Sequence, residues 1–205
     1  MSDQVSGMCE SLLEIKPCLR QAVKLMEALY CSDRGPLNIQ CPSGRGAGPS
    51  LTDGVKKLEE ELTSLEYSPQ KAVLVDQTEA IWNVAVRRKI PAIWFIRSYE
   101  PTTVLLSAIL EKAGVPITRL LNAELTQRDF AVLTSTVGRF AGAPLRICDA
   151  RQPAALLNLL PTLFSENPPC CVLCDWHLED KELATAHQLG KESEISFLCP
   201  CHAVC

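Results

Sequence analysis

Five short apolar runs recur along the second two-thirds of the chain, and between them lie segments in which apolar residues repeat every three or four positions. The runs are AVLV (72–75), PAIWFI (91–96), PLRIC (144–148), CCVLCD (170–175) and EISFLC (194–199). They are of strand length and lack the long apolar–polar alternation of a half-exposed strand, so they suit a parallel sheet covered on both faces. The intervening helices have their own punctuation. Val104, Leu105, Ala108 and Ile109 share a face in 102–113, and Gly114 ends it. Thr126 with Asp129 forms a capping box for a helix carrying Phe130, Leu133, Val137 and Phe140. A leucine-rich helix is expected over 153–164, ended or kinked at Pro161, and another over 180–189. Alternation of this kind predicts a three-layer α/β domain with right-handed crossovers.

Ligands of such sheets sit beyond the carboxyl ends of the strands. The residues there are Asp76 to Thr78, Glu100, Asp149, Asp175 and Pro200. Glu100 and Asp175 suit a base acting on water and a group holding magnesium through water; the competing reading of each is a helix cap or a solvated loop residue.

Ahead of this core, residues 5–31 place Leu12, Ile15, Leu19, Val23 and Met26 at helical spacing, with Pro17 expected to split the helix and open its second piece. Gly, Pro and Ser crowd 32–50, the composition of a flexible linker. The predicted organisation is a helical segment 1–31, a linker 32–50 and a domain 51–205 that begins with a short charged helix, DGVKKLEEELTSL. The 205 residues carry a formal net charge of −4, which gives no general attraction to nucleic acid or anionic membrane. No stretch approaches the roughly 18 apolar residues of a membrane span, and no export signal is visible, so a cytoplasmic location is expected.

The segment ITRLLNAELTQRDFAVLTSTVGRFAGAPLRICD, 117–149, resembles the DnaB-type replicative DNA helicases, in the stretch of their RecA-like motor between the second and third core strands. Arg119-Leu120, Leu125-Thr126, Asp129-Phe130, Leu133, Gly138-Arg139, Ala143-Pro144-Leu145, Ile147 and Asp149 match in order and without a gap. The flanks agree: IWFIRSYEP places Glu100 on the glutamate that polarises the attacking water, and VLCDWHLE places Asp175 on the Walker B aspartate. The resemblance implies a RecA-like (P-loop NTPase-type), mostly parallel three-layer sheet over roughly 50–202, preceded by a small helical segment. It also implies a replicative helicase subunit or another replication protein as partner.

The same alignment puts Asp76-Gln77-Thr78 on the Gly-Lys-Thr of the phosphate loop. Only the threonine matches. A carboxylate stands where an N–H should face the phosphates, and glutamine replaces the neutralising lysine. At an effective dielectric of roughly 20, losing one attractive charge and gaining one repulsive charge at about 4 Å costs on the order of several kcal/mol. The chain also has Cys199-Pro200-Cys201 in place of the glutamine that senses the γ-phosphate. The resemblance therefore implies a degenerate motor without ATP hydrolysis and without a bound cofactor, acting as a binding or regulatory protein in DNA replication. A weak ATPase is the alternative, with Thr78 and Asp175 holding Mg2+, Glu100 activating water and a partner supplying the cations.

Eleven cysteines invite a metal reading. Cys171-x2-Cys174 followed by Cys199-x-Cys201-His202-x2-Cys205 has the outline of a zinc site, which makes a zinc-stabilised interaction module a second alternative. Against it, Cys171 and Cys174 on one strand point to opposite faces. Free thiols are expected, and His177, His187 and His202 form no nucleophilic arrangement with a Cys or Ser.

Overall fold

The strand Ala92–Ile96 (β2) is the middle of a five-stranded sheet and is buried along its whole length. In the computed structural model, the described residues are 12–32, 49–68, 70–149, 171–174 and 196–198, with single positions 184, 188 and 191. β2 pairs in parallel with Leu145–Asp149 (β3) on one side and with Cys171–Cys174 (β4) on the other. Ser196–Leu198 (β5) adds to β4 in parallel. Leu12–Glu14 (β1) closes the far edge antiparallel to β3, giving the order β1-β3-β2-β4-β5.

Alternate residues of these strands, Ala92, Trp94, Ile96, Leu145, Ile147 and Leu173, enter one continuous core with the helices. The others, among them Ile93, Phe95, Val172 and Cys174, are buried on the opposite face.

The helices are Ile15–Ser32 (α1), Pro49–Glu66 (α2), Gln70–Ile81 (α3), Pro101–Ala113 (α4), Ile117–Leu121 (α5) and Gln127–Ala141 (α6). A π-helical turn, Trp82–Arg87, prolongs α3. Burial on α4 extends almost all round, through Val104, Leu105, Leu106, Ala108, Ile109 and Leu110, as befits the helix at the centre of the helical layer. Gly114 ends it at φ 66°, a left-handed conformation that glycine adopts without steric cost. Thr126 and Asp129 cap α6 reciprocally, as the capping-box pattern predicts.

α1 packs against α2, α4, α5 and α6. Ile15, Cys18, Leu19, Ala22, Met26 and Leu29 form its buried stripe. Each of the larger apolar side chains contributes about 1.5–3 kcal/mol by leaving water. Pro17 does not divide α1: it sits in the first turn, where its missing N–H has no intrahelical partner to lose. The residues just before the helix form β1 rather than an earlier helical turn.

The expected three-layer RecA-like (P-loop NTPase-type) domain is not what this chain builds. Helix dominates the described residues, and the sheet is small, with strands of three to five residues. The decisive element is the expected first strand, 72–75, which lies inside α3. Buried positions there fall at Leu74, Gln77, Thr78, Ile81 and Ala85, which is the stripe of a helix. A strand would have buried alternate residues; here Val75 is 37% exposed. Without that strand, no strand-to-helix turn exists at 76–78 to act as a phosphate loop. The helices expected over 153–164 and 180–189 lie outside the described residues, apart from the single position 184, which is helical, and 188, also helical.

Candidate functional site

The residues on which the resemblance places a phosphate loop occupy the middle of α3. Asp76 is on the exposed side, whereas Gln77 and Thr78 are 6% and 2% exposed and face inward. Within a helix the backbone N–H groups of consecutive residues point along the axis to carbonyls one turn back, so they cannot converge on a phosphate. Gln77 has a different use. Its Oε1 accepts the indole N–H of Trp94 on β2 at 2.9 Å, and its Nε2 donates to the backbone carbonyl of Cys174 at the end of β4. One amide thereby braces α3 against two adjacent strands, at the middle of β2 and the end of β4. Both bonds are buried, so leaving either partner unmet carries the full desolvation cost.

Glu100 sits between β2 and α4 as the residue preceding the first turn of α4. Its backbone carbonyl accepts the N–H groups of Thr103 and Val104 at 3.0 and 3.2 Å. Its carboxylate accepts from Lys57 Nζ of α2 at 2.9 Å. Lys57 is also 3.8 Å from Glu61 one turn further along α2, and the hydroxyl of Thr103 donates to Glu61. Lys57, Glu61, Glu100 and Thr103 thus clamp α2 to the start of α4. A carboxylate engaged by a lysine in this way holds two helices together, whereas a general base needs a lone pair directed at a water.

Asp175 lies outside the described residues. The structure brings Gln77 to the strand end that Asp175 follows, since Cys174 supplies the carbonyl that Gln77 meets. Asp149 closes β3 in register with Ile96 of β2. Three partners went unnoticed in the sequence: Trp94, Lys57 and Thr103. The last two carried a faint signal as polar residues on helices with a buried stripe, while Trp94 was hidden inside an apolar run.

Elsewhere on α3, Glu79 accepts from Lys112 of α4, which is also 3.3 Å from Glu111. That hydrogen bond, with a second from Asn83, holds the Glu79 carboxyl below the usual range; burial pushes Glu111 above it. Asp129 is held low by the backbone N–H and the hydroxyl of Thr126, and then by Arg119 at 3.2 Å.

The zinc outline is separated by the sheet. Cys171 stands opposite Ala92 on the face that meets the helices, and Cys174 opposite Phe95 on the other face. The downstream cluster from Cys199 to Cys205 and all three histidines lie outside the described residues. Among the described residues, no three His, Cys, Asp or Glu side chains are placed to share a metal. Cys18, Cys148, Cys171 and Cys174 are buried, and burial pushes the Cys18 thiol up, away from the reactive thiolate. No described helix is long and apolar enough to cross a membrane.

No protein-family model matches the chain, and no curated protein sequence matches it significantly.

Proposed function

We propose that this chain is a non-catalytic binding protein of DNA replication, acting on a replicative helicase subunit or another replication factor. The observation that carries the non-catalytic half is Gln77. At the position where a phosphate loop would need a lysine and converging N–H groups, the chain has a helix whose glutamine is committed to Trp94 and Cys174. The engagement of Glu100 by Lys57 supports the same half, and support for the replication half is the ungapped similarity of 117–149 to DnaB-type helicases.

Titration of the full chain with a fluorescent ATP analogue and Mg2+ tests the first half. The expected outcome is no binding tighter than about 100 μM, equivalent to roughly 5.5 kcal/mol. Tighter binding that is lost in Asp175→Ala overturns it. Affinity capture from the source cell tests the second half: a replication protein among the partners is expected, and its absence overturns the assigned process.

A further inference from the structure

We propose that the outer groove between α1 and α6 docks an acidic amphipathic helix of a partner protein. α1 and α6 run antiparallel. Tyr30, late in α1, meets the ring of Phe130, early in α6, edge to face at 5.1 Å. At the other end, the first half of α1 shares a groove of about 560 Å³ with Val137 and Ala141 of α6. The groove follows α1 from Lys16 to Lys24, just over two turns or about 12 Å, and one turn of α6 from Val137 to Ala141.

The floor and the rim differ in chemistry. Leu19, Val23, Val137 and Ala141 make the floor apolar, while Lys16, Arg20 and Lys24, one helical turn apart, line the α1 side. The α6 side is small and neutral. A side chain built on Gly138 meets nothing within 4 Å, so another backbone has room to come close here. The chain as a whole is acidic, at −4. The described lining of this groove nonetheless carries three positive charges and no carboxylate, and a partner steered to it carries negative charge.

The apolar floor decides which kind of acidic partner. Phosphates of a nucleic acid gain nothing from Val23 and Val137, whereas a helix with apolar residues at i, i+3, i+4 and i+7 fills that floor. Carboxylates flanking that stripe at every fourth position meet Lys16, Arg20 and Lys24 in step. This docking rests on the binding-protein reading above for its biological meaning. The two fail separately, because nucleotide binding overturns that reading without touching the groove.

The test is fluorescence anisotropy of the full chain with a labelled helical peptide of about 15 residues, leucine on one stripe and glutamate along its flank. A second peptide carries lysine in place of glutamate. The acidic peptide is expected to bind more weakly as salt rises, and the lysine peptide to remain unbound. Arg20→Glu with Lys24→Glu is expected to weaken binding by roughly tenfold or more. Gly138→Leu fills the groove from an exposed position and is expected to weaken it comparably, with the thermal transition of the protein retained. Unchanged binding in both variants, or equal binding of the lysine peptide, overturns the proposal. So does tighter binding of a short duplex DNA that Gly138→Leu leaves unaffected, which assigns the face to nucleic acid. Dimerisation of the chain alone, abolished by Gly138→Leu, assigns it to a second copy and overturns it as well.

Discussion

Gln77 joins α3 to two strands through a single side chain. Its amide accepts the buried indole N–H of Trp94 and donates to the strand-end carbonyl of Cys174. Gln77→Leu roughly keeps the volume and removes both bonds, depriving the buried indole N–H of Trp94 of its acceptor at about 1–3 kcal/mol. The expected result is a fall of roughly 1–3 kcal/mol in unfolding free energy, read from urea midpoints at an unchanged slope. A fall below about 0.5 kcal/mol, the range of an ordinary surface change, would show that the brace contributes little.

Asp129 belongs to the same scale. Its carboxyl is held low in the folded chain by Thr126 and Arg119. Its contribution is therefore present above the unfolded-state value and is lost as pH falls through the lowered folded value. Glu79, held low by Lys112 and Asn83, acts with the same sign. Stability should thus drop on the acid side, below about pH 4.5. Urea midpoints measured against pH should show a flatter acid limb in Asp129→Asn than in the native chain; parallel limbs would remove Asp129 from that account.

At the scale of elements, apolar runs located the parallel strands closely. PAIWFI became Ala92–Ile96, PLRIC became Leu145–Asp149, and the runs at 170–175 and 194–199 contain β4 and β5. The side chains of β2 and β4 are buried on both faces of the sheet, so continuous hydrophobicity and strand coincide there. AVLV did not follow, because four apolar residues in a row fit a buried helix as well as a strand. What would have distinguished them was the stripe Leu74, Gln77, Thr78, Ile81. Two of its four members are polar, and hydrophobicity cannot see a buried residue that hydrogen-bonds its way into the interior. The same blind spot concealed the roles of the candidate site: Gln77 looked like a failed lysine, and Glu100 like a free carboxylate. Lys57, its partner, is remote in sequence and 59% exposed, and no local pattern links the two.

For the whole molecule, the helix that composition sets apart across a linker shares the interior of the rest. Leu29 of α1 is 3% exposed and belongs to the same core as Trp94 and Leu105. Leu29→Ala is expected to destabilise the entire molecule by about 2–5 kcal/mol. Tryptophan fluorescence, which senses the sheet through Trp94, and far-UV circular dichroism should shift together to lower urea. A fluorescence transition that stays in place while the helical signal moves would show α1 unfolding alone.

The antiparallel edge strand adds a matter of timing. Leu12 pairs with Cys148 and Leu13 with Ile147, so the first described strand cannot find its neighbour until synthesis has passed Cys148. During that interval the apolar stripe of α1 has part of its final surroundings missing, and the edge of β3 has yet to be made. Closing so large a loop makes β1 a late addition to folding. A nascent chain stalled shortly before residue 145 would hold its amino-terminal segment available to chaperones, and release past 149 would withdraw it by covering the open edge of the sheet.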